Sequence, residues 1–419
     1  MTISNLKEPG QNQLNKINTI NELLELLKRV NELRLYGAGY YLHLFLQGTE
    51  ELDRNYFQKI KCIMVSDVDK NPAQIIGIPI VNYQSENLQP GDSVLLTLGH
   101  RYTEEVYNLL KETGVTVIQI DFNMFQEAAY REVRQSLQPF LDRFPQKLSG
   151  LNQPVTETSF TAWTCWWQGE EQAPDIVKAC IESQRRNIPE GVKHVVITER
   201  NYKDYITLPP YIIEKVNKGS ITLTTLSDMI RASLLYKYGG FWMDATLMVF
   251  EPLDGKILDY PLYTRNLPET QYCANAMWAG WFLYAKPGSQ LFQFLMEGFF
   301  YYFSVHDKIK YYFMVDYIIS IACNMFPEIE KQLRDVPYNN ERAGELGKHL
   351  LENFEEQKYE KYTEDTTVQK LSYKLDRTSV DESIYTIYDY LIDRGKYENG
   401  NRERTDKSNQ KRFIAVVSV

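Results

Sequence analysis

The amino-acid sequence predicts an α/β protein made of two domains. Its 419 residues exceed what one ordinary hydrophobic core covers, and 43% hydrophobic with 24% charged residues is the composition of a folded chain. Short apolar segments alternate with helical segments in two separate stretches, which is typical of sheets with parallel strands. A polar segment separates the two stretches, so each is expected to form its own α/β domain.

The first stretch predicts a domain over residues 1–130. The segments LRLY, KCIMV, GIPIV, SVLLTL and VTVIQI have the length and composition of strands, and helices are expected from Tyr40 and from near Thr103. Through LYGAG, VSDVDKNPAQIIGIPIV and SVLLTLG, residues 30–122 resemble the Rossmann-like domains that precede many bacterial polysaccharide enzymes. The resemblance implies a Rossmann-like accessory domain and indicates no single activity.

A glycine turn in this domain permits two interpretations. Gly37 and Gly39 follow a strand and open a helix, where backbone N–H groups can meet a phosphate. Leu42 stands at the third position of the dinucleotide fingerprint, so the pattern is incomplete, although Asp67 and Asp69 follow the next strand, where a ribose would be bound. The turn is therefore either purely structural or a nucleotide site. If it is a nucleotide site, the protein could be an NAD-dependent oxidoreductase.

The second stretch predicts a larger domain over residues 156–392. Residues 131–155 are expected to form a helical connection and a polar linker. An aromatic strand is predicted over 161–169, followed by a helix that begins with proline over 174–189. Residues 393–419 are charged and rich in glycine and asparagine, which predicts a solvated tail.

Charge and residue usage exclude several classes of protein. A net charge of -9 and a pI near 5.3 argue against a nucleic-acid-binding surface. The beginning of the chain lacks the pattern of a signal peptide, and no segment approaches the roughly 18 apolar residues that span a bilayer. A cytoplasmic protein is expected, with peripheral association at the inner face of the membrane left open. The five cysteines and five histidines are scattered, without C-x-x-C or H-E-x-x-H spacing, so no disulfide framework or zinc site is predicted.

The segment TLSDMIRASLLYKYGG predicts a helix that ends at Gly239. Asp228 and Arg231 are three residues apart and therefore share one face of this helix. Two interpretations are open for them. They bind a ligand, or Thr225 and Asp228 form a capping box and Arg231 only pairs with Asp228.

The strand expected after the glycines carries an acid in an apolar setting. Alternation with a period of two places Trp242, Asp244 and Thr246 on one face of this strand. A buried carboxylate needs a partner, because an unpaired one costs several kcal/mol or becomes protonated. Ligands of α/β sheets bind at the ends of parallel strands, so Asp244 is expected to belong to a functional site.

The segment SDMIRASLLYKYGGFWMDAT resembles the signature of the capsular polysaccharide synthesis protein family, which is related to sugar transferases with a D-x-D motif and to the clostridial glucosylating toxins. WTCWWQGEEQAPDIVKACIESQRRNIP, WAGWFLYAKPGSQLF, DYIISIA and VQKLSYK extend the resemblance over about 160–375. It implies that Asp228 and Arg231 hold the donor sugar and its phosphates. Asp244 then matches the first acid of D-x-D, near ribose and metal, and Thr246 stands in place of the second.

The resemblance also implies an activity and partners. It implies a glycosyltransferase of the GT-A-like fold with a helical C-terminal part, usually retaining, which takes a nucleotide-sugar donor such as a UDP-sugar. The acceptor would be a glycan or lipid-linked glycan precursor of a capsular or surface polysaccharide. Because a hydroxyl is a weaker ligand than a carboxylate, Mn²⁺ or Mg²⁺ is expected at Asp244 only weakly, together with bound nucleotide. The departure at Thr246 keeps open a non-catalytic regulator or scaffold of capsule assembly that binds sugar nucleotides.

Aromatic and basic side chains complete the predicted site. Three tryptophans are candidates for stacking on the base, namely Trp163, Trp166 and Trp167, while Trp278 or Trp281 could face the sugar. Lys370 and Lys374 could present ammonium groups to the leaving diphosphate. Core packing of the tryptophans and a solvated helix carrying the lysines are the alternatives. Asp316 belongs either to the catalytic site or to an ordinary helix.

Overall fold

The computed structural model describes residues 14–69, 71–144, 160–267, 274, 276–311, 313–375, 377 and 383–400. The chain divides into two compact units, residues 1–132 and 133–419. Each contains helices and a sheet with parallel strand pairs, so the predicted α/β fold class is confirmed. Parallel pairs predominate in the first unit, whereas the five-stranded sheet of the second unit has two parallel and two antiparallel pairs. Within the described residues, no helix is both long and apolar enough to cross a membrane.

The first unit contains a seven-stranded sheet in the order β1-β7-β6-β2-β3-β5-β4. Only the β4–β5 pair is antiparallel among these neighbours. Its strands are β1 (Asn15–Ile17), β2 (Leu33–Tyr36), β3 (Ile60–Val65), β4 (Gln74–Ile75), β5 (Ile78–Asn82), β6 (Ser93–Leu96) and β7 (Thr116–Ile120). Its helices are α1 (Ile20–Arg29), α2 (Tyr40–Asp53), α3 (His100–Leu110) and α4 (Asn123–Ser136), the last of which crosses the division between the units, with 3-10 turns at Arg54–Lys59 and Lys111–Thr113.

Close packing accounts for one glycine of the turn after β2. Gly37 has a φ of +111°, and a Cβ there would lie 2.5 Å from Leu98 Cδ2 and 2.8 Å from the Thr97 carbonyl oxygen. Thr97 Oγ1 donates to the carbonyl oxygens of Tyr36 and Gly37 at 3.0 and 2.6 Å. A side chain is therefore excluded at Gly37 by its neighbours and its backbone conformation. A Cβ at Gly39 would meet open space.

The second unit contains a five-stranded sheet in the order β12-β13-β10-β8-β9 and a separate antiparallel pair, β11-β14. Strands β9, β8 and β10 are parallel, whereas β13 runs antiparallel to β10 and β12 antiparallel to β13. The strands are β8 (Thr161–Cys165), β9 (Lys193–Ile197), β10 (Gly240–Met243), β11 (Leu247–Val249), β12 (Leu262–Thr264), β13 (Phe282–Ala285) and β14 (Val368–Lys370).

Helices cover much of the rest of the second unit. They are α5 (Gln138–Leu141), α6 (Asp175–Asn187), α7 (Tyr202–Tyr205), α8 (Pro210–Asn217), α9 (Leu223–Lys237), α10 (Gln290–Val305), α11 (Met314–Met325), α12 (Pro327–Arg334), α13 (Glu356–Thr363) and α14 (Ile387–Gly400), with 3-10 turns at Glu170–Gln172, Gly255–Asp259 and Leu346–Lys348. Phe140 and Phe144 pack on Phe294 of α10, with ring centroids 5.1 and 4.9 Å apart. Part of the segment 131–155 therefore packs within the second unit.

Two glycines connect helix α9 to strand β10. Gly239 has a φ of +65°, the left-handed conformation that ends the helix as the sequence predicts. At Gly240, with a φ of +90°, a Cβ would lie 2.0 Å from the carbonyl oxygen of Thr161. Only glycine at this position lets β10 approach β8, so the Gly-Gly pair sets where the strand enters the sheet.

Two local predictions for this region are wrong. The N-cap of α9 is Thr222, whose hydroxyl accepts from the Thr225 amide, so Thr225 and Asp228 do not form a capping box. Strand β10 stops at Met243, and a turn carries Asp244 to Thr246 before β11 begins. The positions of the Asp244 and Thr246 side chains are therefore set by this turn and not by alternation along one strand.

Candidate active site

Asp244 lies at the centre of a cluster of charged side chains beyond the end of β10. Its Oδ1 accepts from Arg231 Nη2 at 3.2 Å and from Trp242 Nε1 at 3.0 Å. Its Oδ2 accepts from Lys370 Nζ at 2.6 Å. The side chain is 25% exposed, so the carboxylate is reachable from solvent although it is paired with two cations.

Helix α9 supplies the most enclosed cation of the cluster. Arg231 is 7% exposed, and its Nη1 lies 3.2 Å from Asp228 Oδ1, which confirms that the two residues share a helix face. Its guanidinium carbon lies 4.9 Å from the centre of a Trp242 ring. Arg231 Nε is buried and has no hydrogen-bond partner among the described residues. A buried donor without a partner is costly, so this atom marks a position where a ligand would be stabilised.

The two-stranded pair supplies the second cation. β11 and β14 pair in a register that sets Leu247 opposite Lys370, and the Leu371 amide donates to the Thr246 carbonyl oxygen at 2.9 Å. Lys370 Nζ donates to Thr246 Oγ1 at 2.6 Å, in addition to its bond to Asp244. The sheet register therefore holds one ammonium group between the two positions that the resemblance matches to the D-x-D acids.

The charged environment shifts the pKa values of the carboxyl groups in opposite directions. Burial alone would raise the pKa of Asp244, but Lys370 and Arg231 outweigh it and lower the pKa below its usual value. Burial raises the pKa of Asp228 to about 7, although Arg231 acts in the opposite direction. Asp244 is thus a carboxylate at neutral pH, while Asp228 can hold a proton and donate a hydrogen bond.

Asp316 forms the neighbouring part of the site. It lies in the first turn of α11, and its Oδ1 accepts from Trp278 Nε1 at 2.7 Å. Burial raises the pKa of Asp316 to about 6, against the hydrogen bond from Trp278 and the charge of Arg231. Its electrostatic interactions with Asp228 and Arg231 show that it lies near the cluster, and a catalytic role for Asp316 stays a prediction.

Gly280, which the sequence does not identify as a site residue, lies directly against Arg231. A Cβ added to Gly280 would lie 2.8 Å from Arg231 Nη1, and the next residue, Trp281, accepts the Asp244 amide on its carbonyl oxygen at 3.0 Å. The WAGW motif contains both residues, but the sequence gives no sign that its glycine makes room for a guanidinium group. The segment 278–281 therefore lines the cluster with backbone as well as indole groups.

The three tryptophans proposed to stack on a base lie in different surroundings. Trp163 is buried, donates from Nε1 to the Gly239 carbonyl oxygen at 2.9 Å and packs on Tyr205 and Tyr238, which is a core environment. Trp167 packs on Tyr202. Trp166 packs on Tyr373, and its indole nitrogen is buried without a partner among the described residues. Their contact with a base stays a prediction, and Trp166 is the candidate with an unused donor.

The two lysines predicted at the diphosphate differ from each other. Lys370 ends strand β14 inside the cluster, whereas Lys374 is exposed in the following loop, with its Nζ 5.8 Å from the Tyr373 ring centre. The alternative that a solvated helix carries both lysines is wrong, because β14 pairs with β11. The predicted phosphate role of Gly37 and Gly39, which lie in the first unit, stays a prediction.

The side chains around Asp244 do not fit a divalent cation held by the protein. The described residues contain no group of three or more His, Cys, Asp or Glu side chains that could hold a metal ion. Asp244 already accepts hydrogen bonds on both oxygens, and Lys370 donates to Thr246 Oγ1. Mn²⁺ and Mg²⁺ prefer several negatively charged or neutral oxygen ligands, and one engaged carboxylate is a poor set. Binding of a cation together with nucleotide stays a prediction.

Comparison with known proteins identifies the family of the chain. A family model described as capsular polysaccharide synthesis protein matches residues 116–391, which is more than half of the chain. The chain belongs to the capsular polysaccharide synthesis protein family, as its motifs predict, and the match indicates a role in capsule biosynthesis. No curated protein matches the chain.

Proposed function

We propose that the chain is a glycosyltransferase that moves a sugar from a nucleoside diphosphate, most simply a UDP-sugar, to a precursor of a capsular or surface polysaccharide. The observation that carries this proposal is the meeting of Arg231 and Lys370 on Asp244 at the end of a parallel strand. Two cations beside a partly exposed carboxylate suit a ligand that carries both phosphates and hydroxyl groups. Family membership supports the proposal, because capsule synthesis requires sugar transfer.

Each side chain has a role in this proposal. Arg231 binds the diphosphate, and Asp228 and Asp316 bind hydroxyl groups of the sugar, since carboxyl groups with raised pKa values can donate as well as accept. Asp244 orients both cations and accepts a ribose hydroxyl. In transfer, the bond between sugar C1 and the phosphate oxygen breaks, and its electron pair leaves with the diphosphate. The acceptor oxygen bonds to C1 and its proton passes to the leaving phosphate oxygen, which suits a retaining outcome.

The architecture is part of the same proposal. A sheet with three parallel strands, one of which ends at the cluster, is compatible with a GT-A-like domain, and the mostly parallel sheet of the first unit with a Rossmann-like accessory domain. The packing at Gly37 explains that glycine without a nucleotide, which weakens the oxidoreductase alternative. A lipid-linked acceptor would bring the protein to the inner face of the membrane as a peripheral protein.

Nucleotide release from a panel of sugar nucleotides tests the proposal. We expect the purified protein to hydrolyse or transfer at least one UDP-sugar, and the Arg231→Ala variant to show only background release. A GDP-sugar serves as the comparison for base preference. Tight binding of a UDP-sugar without any turnover, in the presence of lipid-linked and free glycan acceptors, would support the regulator or scaffold instead.

A further inference from the structure

We infer that the ammonium group of Lys370 takes the place of a divalent cation at the donor diphosphate, so that donor binding and sugar transfer need no metal ion. The inference rests on the proposed function and names how the same site handles the phosphate charge. It replaces the expectation of a weakly held Mn²⁺ or Mg²⁺. Three observations carry it: the ligand set, the position of the ammonium group and the charge balance.

The ligand set at Asp244 and Thr246 disfavours a metal. Thr246 presents a neutral hydroxyl where the resemblance implies a second carboxylate, so of these two positions only Asp244 brings negative charge. The Thr246 hydroxyl and one oxygen of Asp244 both face Lys370 Nζ, each at 2.6 Å. A cation that bound these two oxygens would have to displace the lysine and leave its ammonium group beside a second positive charge.

The position of Lys370 suits contact with a ligand. An ammonium group has three N–H donors, and the bonds to Asp244 and Thr246 use two of them. Within the part of the chain that the structure describes, no further acceptor of Nζ is recorded, and the side chain is 30% exposed. The third donor is thus available to a phosphate oxygen, while the two protein bonds fix the group in place.

The charge balance is the same as in a metal site. Two carboxylates with a divalent cation sum to zero, and one carboxylate with an ammonium group also sums to zero. A site with Thr246 and the ammonium group of Lys370 therefore has the same net charge as a site with a second acid and a divalent cation. Arg231 adds a further positive charge on the other oxygen of Asp244. When the C1–oxygen bond breaks, the electron pair stays on the diphosphate, and Lys370 stabilises the added negative charge.

Calorimetric titration with UDP, in EDTA and then with added Mn²⁺, tests the inference on the full chain. We expect the affinity of the wild-type protein to agree within about 2-fold between the two conditions, because the ammonium group remains in place. Lys370→Met removes the charge but keeps most of the apolar stem, and should weaken UDP binding by about 10- to 100-fold, as expected for loss of one charge-assisted hydrogen bond. Lys370→Arg should retain most of the affinity.

A matched control and a rescue variant make the test sharper. Lys358→Met removes an exposed lysine on α13, which pairs only with Glu355 among the contacts seen, and should leave UDP binding unchanged. The double variant Thr246→Asp with Lys370→Met restores a second acid and removes the ammonium group, so its UDP affinity should become dependent on Mn²⁺.

Two results would overturn the inference, and they differ in meaning. If EDTA abolishes UDP binding by the wild type and Mn²⁺ restores it, Lys370 does not replace the metal, while the proposed transferase stands. If neither UDP nor UDP-sugars bind in either condition, the proposed function fails together with the inference. The wild-type titration needs no variant, so a folding defect in Lys370→Met leaves the test intact.

Discussion

Two turns at the ends of parallel strands, one in each unit, differ in what surrounds them: Gly37 follows β2, and Asp244 follows β10. At the turn after β2, the backbone carbonyls of Tyr36 and Gly37 are bonded by the Thr97 hydroxyl, and neighbouring atoms fill the space beside Gly37. At the turn after β10, Asp244 binds two cations, and Arg231 keeps a buried N–H without a partner among the described residues. Glycine at a strand end therefore does not by itself indicate a ligand. We infer a ligand site from charged side chains that converge on one point and keep unused hydrogen-bond donors.

The largest effect is expected from Arg231→Ala, which removes the cation that α9 brings to Asp244 at the second turn. Removing a cation that stabilises the departing diphosphate should lower kcat/KM by about 100- to 1000-fold. Steady-state rates of UDP release and the melting temperature should be measured together, with Arg231→Lys as the variant that keeps the charge. An unaltered rate would remove Arg231 from the donor site. If stability and rate collapse together, the pairing with Asp228 and Asp244 is mainly structural.

Asp244 and Thr246 should differ strongly although both contact Lys370. Asp244→Asn leaves the buried Arg231 and the partly exposed Lys370 without their shared anion, so we expect a loss of about 100-fold in kcat/KM and a lower melting temperature. Thr246→Ala removes one neutral acceptor and should cost about 3- to 10-fold. Equal losses in the two variants would mean that the hydroxyl and the carboxylate act as one unit.

Alanine substitution of one glycine in each unit separates packing from ligand binding. Gly280→Ala places a Cβ 2.8 Å from Arg231 Nη1, so the guanidinium must move and UDP affinity should fall about 10-fold with little change in stability. Gly37→Ala should cost about 1 to 3 kcal/mol of stability, because the residue has a positive φ and no room for a Cβ, and should leave UDP affinity unchanged. Calorimetry and thermal unfolding report both properties. A Gly37→Ala variant that keeps its stability but loses UDP binding would instead assign ligand binding to the turn after β2.

The smallest effect concerns pH. The pKa of Asp228 is about 7 in the folded protein against an ordinary value of 3.8, so between these values the folded chain holds a proton that the unfolded chain has lost. Its contribution to stability is therefore present at low pH and is lost as the pH rises through about 7. Asp228→Asn cannot titrate, and its melting temperature should fall less than that of the wild type between about pH 5 and 7. Parallel curves for the two proteins would contradict the assigned pKa.

The sequence predicts the local parts of the site and not its long-range contacts. Helical spacing brings Asp228 and Arg231 together, and the Gly-Gly pair predicts where α9 ends. The break after Met243 is not visible in the apolar alternation, because it depends on the pairing of β11 with β14. The bond between Lys370 and Asp244 joins residues 126 positions apart, and no local pattern contains such information. The hydrogen bond from Trp278 to Asp316 joins residues 38 positions apart and is likewise absent from any local pattern.

The location of donor binding is the most direct test of the account. Whole protein should be labelled with an azido-UDP photoprobe, with excess unlabelled UDP as the competitor, and the labelled peptides mapped by mass spectrometry. We predict competable label in peptides from residues 160–375, around the cluster of Asp244, Arg231 and Lys370, and its loss in Arg231→Ala. Competable label confined to peptides around Gly37 and Gly39, unaffected by Arg231→Ala, would contradict the account and return the nucleotide site to the first unit.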